Sequence, residues 1–158
     1  MPTRERRHGE GLLSGVAVGA VFILIGIVFV TTPNLINDAN EFFSDFTALQ
    51  VPSTSIQLPA PAHPANHAEL YGAAAQFTLG ISILQILLLA LRLVLRSPIR
   101  RTAQTVGNLV FWLGAAYLTI TFLNDSTTVE TWFMFWAAIM VVLGASLIVR
   151  SLVLFARR

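Results

Sequence analysis

The stretch Gly11–Val30, GLLSGVAVGAVFILIGIVFV, decides the fold class. It carries no charge, and a helix of this length is about 30 Å long, the thickness of the hydrocarbon core of a bilayer. The run is longer than the apolar part of a signal peptide, and no small-residue cleavage site follows it, which favours a retained helix. We therefore predict a first transmembrane helix over residues 11–32.

Three later apolar runs have the same character and predict further spans over residues 70–95, 102–123 and 129–155. Hydrophobic residues make up 55% of the chain and charged residues 11%, whereas a soluble domain is about 25% charged. Because lipid can cover this apolar surface, we predict an all-α integral membrane protein. Residues 1–158 then form a single four-helix transmembrane domain.

The basic residues predict how the spans are oriented. All ten are arginines, and they lie before the first span, between the second and third, and at the end of the fourth. The other two connections contain no arginine but hold six of the eight acids: Asp38, Glu41, Asp45, Glu69, Asp125 and Glu130. Because positive charge marks cytoplasmic loops, we predict a multi-pass protein of the cell membrane with both termini cytoplasmic.

Four of these arginines lie together in the predicted cytoplasmic connection: Arg92, Arg96, Arg100 and Arg101. They predict contact with the bilayer through anionic lipid headgroups. Since this clustering follows from membrane topology, the net charge of +2 gives no indication of a nucleic-acid partner.

The first outer connection, residues 33–69, divides into two parts. Residues 35–49 place apolar side chains such as Phe42, Phe46 and Leu49 on one helical face, which predicts an amphipathic helix at the membrane surface. Its polar face is acidic, which favours packing over the ends of the spans. The following stretch, Val51–Pro64, is rich in proline and predicts an extended cover without further folding.

The second outer connection is short. Asn124-Asp125-Ser126 predicts a turn, and the spacing of Thr127 and Glu130 predicts a capping box that begins the fourth span. An aromatic belt at the outer membrane surface is predicted for the side chains that follow, Trp132, Phe133, Phe135 and Trp136.

The glycines of the first span form the most specific motif of the sequence. At about 100° per residue, Gly11, Gly15, Gly19 and Gly26 fall on one side of the helix. Small residues let two membrane helices approach closely. Two interpretations stay open: a seam between copies of the chain, or packing against another helix of the same chain. Further close contacts are predicted at Gly72, Gly80, Gly107 and Gly114.

Polar side chains inside the spans predict hydrogen bonds between helices. They are Gln76, Gln85, Asn108, Tyr117 and Thr119. In an antiparallel hairpin of the second and third spans, Gln85 lies at the depth of Asn108, and Gln76 at the depth of Tyr117. The two positions on each helix are nine residues apart, which is half a turn, so at most one pair faces the shared interface. We expect Gln85–Asn108 there, with the others facing the first or fourth span or another protomer.

A stripe on the third span, Gln104, Asn108, Ala115 and Thr119, fits either a water-lined path or contacts that hold helices together.

The weak candidates for metal ligands are His63, His67 and Glu69, which Asp38, Glu41 or a second chain would have to complete. The chain has no cysteine, and no phosphate loop, Ser/His/Asp arrangement or metalloprotease motif is present in the sequence. We therefore expect no metal, no cofactor and no enzymatic activity.

The sequence thus favours a structural or interaction protein that joins a homo-oligomer or a larger membrane complex through small-residue faces. One alternative is an oligomeric channel or small-solute transporter lined by the polar residues of the third span. Another is an accessory subunit of a membrane enzyme complex.

Overall fold

The computed structural model describes the backbone of residues 3–156 and the side chains of Gly11 and residues 13–156. This part of the chain is mostly helical, 77%, with five helices. In chain order the elements are α1 (Thr3–Thr31), α2 (Leu35–Ser44), β1 (Phe46–Gln50), β2 (Gln57–Pro61), a 3-10 turn (Pro64–His67), α3 (Ala68–Val94), α4 (Ile99–Phe122) and α5 (Val129–Phe155).

Four of the described helices are long and apolar enough to cross a membrane, which indicates a multi-pass membrane protein. The apolar stretches are Leu13–Thr31, Pro64–Val94, Ile99–Phe122 and Val129–Phe155. Large apolar side chains remain exposed along them, as at Phe22 (70%) and Met140 (66%). A water-soluble domain would bury such residues, whereas lipid solvates them.

The four long helices contact one another mainly in chain order, α1 on α3, α3 on α4 and α4 on α5. The contact between α4 and α5 is close because two glycines of α4 lie in it. A Cβ at Gly107 would be 3.2 Å from the backbone oxygen of Ser146, and one at Gly114 would be 2.5 Å from Cγ1 of Val142. Close backbone approach of this kind takes the place of the hydrophobic effect between membrane helices.

The helix α1 packs on α3 through a side chain that fills a glycine position. Leu24 occupies the space that a Cβ at Gly80 would need. Nearer the end of α1, Thr31 Oγ1 donates a hydrogen bond to Gln76 Oε1 at 2.8 Å. The side chain of Gln76 is therefore joined to the first span.

The prediction of a surface helix over residues 35–49 is wrong at its end. The helix α2 stops at Ser44, and Phe46–Gln50 is a strand. The chain turns away because the backbone oxygen of Asp45 accepts a hydrogen bond from the N–H of Ala62 at 2.9 Å. A contact 17 residues along the chain thus overrides the helical periodicity.

The proline-rich stretch is not an unpaired cover, because part of it forms β2, antiparallel to β1. Phe46 lies opposite Pro61, and Ala48 lies opposite Pro59. The flanking hydrogen bonds, Ala62 N–H to Asp45 and Val51 N–H to Ile56, place both prolines at positions that donate nothing to the partner strand. A hairpin therefore accepts prolines here that a central strand would not.

Two helix ends differ in detail from the sequence-based expectation. The capping box of α5 is formed by Thr128 and Thr131, one residue after the predicted Thr127–Glu130 pair. The hydroxyl of Thr127 instead donates to the backbone oxygen of Phe122 at 2.9 Å. At the end of α3, Arg96 has a positive φ of 48°, and Ser97 N–H donates to Arg92 O at 2.9 Å, which is a Schellman ending.

We predict that Gly114→Ala destabilises the protein, because Val142 is β-branched and has little freedom to move aside. The overpacking should cost about 1–3 kcal/mol. Gly72→Ala is the matched control, since no described atom lies within 4 Å of a Cβ there. Thermal unfolding in detergent should show a lower midpoint for Gly114→Ala than for Gly72→Ala, and equal midpoints would contradict the described contact.

Candidate functional site

The helix α2 and the β1–β2 hairpin, Leu35–Pro61, together form a cap over the ends of α3, α4 and α5. A cluster of buried apolar residues lies beneath it, with members from the cap and from all three helices. The members are Ala60, Tyr71, Leu118, Leu123, Trp132 and Phe135. This core lies at the ends of the spans that we call the cap end.

Trp132 is the centre of this core and is only 5% exposed. Its ring centroid is 5.8 Å from that of Phe42 and 6.1 Å from that of Phe46, both in the cap. The ring of Tyr71, on α3, is 6.4 Å away. The predicted aromatic belt is therefore divided: Trp132 and Phe135 are buried in the core, whereas Trp136 is 47% exposed.

The hydroxyl of Tyr71 is buried and has no hydrogen-bond partner among the described atoms. Ring packing, rather than a bond from its oxygen, thus holds this side chain in the core.

Three side chains form a polar cluster beside the core. The carboxylate of Asp45 accepts a hydrogen bond from Nδ1 of His63 at 2.9 Å and another from Nε2 of His67 at 3.0 Å. The backbone N–H of His63 donates to the same carboxylate at 2.8 Å. Asp45 follows α2 and both histidines precede α3, so the cluster closes the connection between these two helices.

The hydrogen bonds from the His63 ring, the His63 backbone N–H and the His67 ring lower the pKa of Asp45 well below its ordinary value of 3.8, while burial opposes the shift. The carboxylate therefore stays ionised at neutral pH. Both imidazoles can donate in their neutral forms, His63 with its proton on Nδ1 and His67 on Nε2.

The two histidines differ in burial. The side chain of His67 is 7% exposed and lies against the ring of Phe42 at 5.1 Å, whereas that of His63 is 71% exposed. Loss of Asp45 would thus leave His67 as a buried donor without a partner.

The structure does not bring His63, His67 and Glu69 together as the candidate metal ligands. Asp45, and not Glu69, lies between the two imidazoles. Among the side chains of residues 13–156, no group of three or more His, Asp or Glu is arranged to hold a metal ion. Sequence reasoning missed Asp45 because it is 18 and 22 residues from the histidines.

The intramembrane polar residues do not form the expected pair. No hydrogen bond joins Gln85 to Asn108 in the described structure, and Asn108 and Gln104 are exposed on α4. Ala115 and Thr119, further along the same stripe, are buried near the core. Tyr117 is exposed on another face of α4. The polar stripe is therefore exposed in one half of α4 and buried in the half nearer the cap.

The glycine face of α1 points away from the rest of the described molecule. No described atom lies within 4 Å of a Cβ built on Gly11, Gly15, Gly19 or Gly26. The helix uses the opposite side for its own contacts, about half a turn away. The buried or half-buried side chains there are Leu13, Ala17, Ala20, Val21, Leu24 and Val28.

The arginines Arg92, Arg96, Arg100 and Arg101 lie around the α3–α4 connection. Because α3 begins at the core and ends beside this connection, the four arginines are at the ends of the spans away from the cap.

Comparison with known proteins gives no matching family model, no matching curated protein and no matching solved structure.

We predict that Asp45→Ala destabilises the cap, because it removes three hydrogen bonds and leaves His67 buried without a partner. The cost should be about 1–3 kcal/mol. Glu41→Ala, an exposed acid of α2, is the matched control. Thermal unfolding followed by tryptophan fluorescence should respond to the Asp45 substitution alone, and equal effects of both substitutions would contradict the described cluster.

We also predict that the free energy of unfolding depends on pH through the protonation of Asp45. Its pKa is lower in the folded protein than in the unfolded chain, so its stabilising effect is complete above the unfolded value of about 3.9 and is lost as the pH falls below it. The stability difference between the wild type and Asp45→Asn should shrink as the pH falls from about 4 towards pH 2. A difference that grows over this range would contradict the assignment.

Proposed function

We propose that this chain is a non-enzymatic structural or interaction protein that assembles into a homo-oligomer or a larger membrane complex. The observation that supports it is the glycine face of α1, which is not filled by any residue in the described part of the chain. A groove of this kind lets a second helix approach until backbone and side-chain atoms are in contact. We propose α1 as the helix that meets the partner.

The way α1 attaches to its own molecule supports this role. It lies at one end of the series of contacts α1–α3–α4–α5, and its main helix neighbour is α3. Leu24 and Thr31 make that contact, and both lie about half a turn from the glycines. The glycine face is thus available while the contact with α3 is intact.

We further propose that the protein lies in the cell membrane with both termini in the cytoplasm and the cap outside. The arginines of the α3–α4 connection support this orientation, since they lie opposite the cap. The cap contains the acids Asp38, Glu41 and Asp45 and no arginine or lysine.

The channel alternative receives less support from the polar stripe of α4. Gln104 and Asn108 are exposed, but Thr119 is buried under the core, so the stripe does not run the length of the helix. An accessory subunit of an enzyme complex would use the same glycine face with a different partner. The protein composition of the purified assembly distinguishes a homo-oligomer from such a complex.

We predict that Gly15→Leu combined with Gly19→Leu weakens assembly without unfolding the protein. Leucine fills the groove, so the association constant should fall by about tenfold or more, which is about 1.4 kcal/mol. The monomer should keep or raise its thermal midpoint, because leucine favours a helix over glycine and no described neighbour is displaced. Mass measurement in mild detergent gives the oligomeric state.

The control is Val16→Leu, which enlarges an exposed side chain of the same helix beside the glycine face. It should leave assembly unchanged. A wild-type protein that is a monomer without any partner in native membranes would contradict the proposal, as would equal assembly of wild type and the double leucine variant.

A further inference from the structure

A cavity of about 510 Å³ lies between the cap and the first two turns of α5. Six of its eight lining residues are aromatic: Phe42, Phe43, Phe46, Trp132, Phe133 and Trp136. Leu58 and Pro59 of the hairpin complete it. The volume lies within the range of about 300–1,000 Å³ that is usual for small-molecule sites.

The cavity has a fixed floor and an exposed rim. Trp132 is buried in the core and forms the floor, while Phe43 (72% exposed) and Trp136 lie at the rim. The rings are held against one another, with centroids 5.0 Å apart for Phe42 and Phe46 and 5.7 Å apart for Trp132 and Trp136. A ligand would therefore meet several aromatic rings that are already positioned.

The two connections at the cap end are acidic, with His63 and His67 hydrogen-bonded to one of the acids, Asp45. The two connections at the cap end, residues 33–69 and 124–130, contain six acids and no arginine or lysine. Glu130 precedes Phe133 by one helical turn, and Asp45 directly precedes Phe46. Asp45 also keeps its negative charge, because its hydrogen bonds to two histidines stabilise the ionised form.

These features select the chemistry of the ligand. A small hydrated cation needs oxygen ligands, and the described lining side chains are apolar apart from the indole N–H groups. An anion would be repelled by the surrounding acids. Aromatic faces attract a cation whose charge is spread over apolar groups, and the negative field raises its local concentration.

We propose that the cavity between the cap and α5 binds a lipophilic cation, such as a quaternary ammonium or phosphonium carrying apolar substituents. The apolar substituents lie among the rings, and the positive charge is stabilised by the ring faces and the nearby acids. No residue of the glycine face takes part, so this site does not depend on the proposed assembly.

The test uses two ions of almost equal shape and opposite charge, tetraphenylphosphonium and tetraphenylborate. Equilibrium dialysis against the whole protein in a neutral detergent, corrected with empty micelles, gives both dissociation constants. The phosphonium should bind at least about tenfold more tightly than the borate. Equal affinities would overturn the proposal, because they would show apolar partitioning without selection for positive charge.

Variants then locate the site. Phe43→Leu and Trp136→Leu shorten side chains at the rim, so each should weaken phosphonium binding by about tenfold. Phe43, the more exposed of the two, should also keep the thermal midpoint when it is replaced. Phe22→Leu is the matched control, since Phe22 is an exposed aromatic residue of α1 outside the cavity. Equal weakening by Phe22→Leu, or none from both rim variants, would overturn the assignment.

Tryptophan fluorescence gives an independent readout. In a Trp112→Phe background the remaining tryptophans are Trp132 and Trp136, and both line the cavity. Phosphonium should change this emission with the same dissociation constant as dialysis, and Glu130→Gln should weaken the binding. An emission that does not change at saturation would place the ligand elsewhere and contradict the proposal.

Discussion

The packing of Trp132 between the cap and the spans holds the cap end together. Its ring meets Phe42 and Phe46 from the cap and Tyr71 from α3, so one side chain joins three parts of the chain. Asp45 closes the same region from the polar side through His63 and His67. Aromatic burial and a few charge-assisted hydrogen bonds thus order the long connection between the first two spans.

Away from the cap, the spans depend on a different constraint. Lipid tails are as apolar as the side chains, so helices gain little from burying leucine and more from close approach. Gly107 and Gly114 provide this between α4 and α5, and Gly80 provides it for Leu24 of α1. The glycines of α1 itself face outward, which is why assembly is the proposed use for them.

The spans could be predicted from the sequence because an apolar run of about 20 residues is a local property. The cap could not. Phe46 and Leu49 are three residues apart, which fits a helical face, yet both are half-buried in a strand that pairs with residues 57–61. The Asp45 cluster likewise joins residues 18 and 22 positions apart. The spacing of Gln85 and Asn108 predicts their depth in a hairpin but not the rotation of each helix, which depends on its neighbours, and no hydrogen bond joins the two side chains in the described structure.

The most direct test of the account is disulfide cross-linking in native membranes, which a chain without cysteine allows at single introduced positions. Phe22→Cys lies on the glycine side of α1, and Ala20→Cys lies on the side that contacts the rest of the molecule. If α1 meets α1 of a second copy through the glycine face, the two introduced thiols of Phe22→Cys lie close together, and oxidation should give a disulfide-linked dimer from Phe22→Cys and none from Ala20→Cys. No dimer from Phe22→Cys, or equal amounts from both variants, would contradict assembly of two copies through α1.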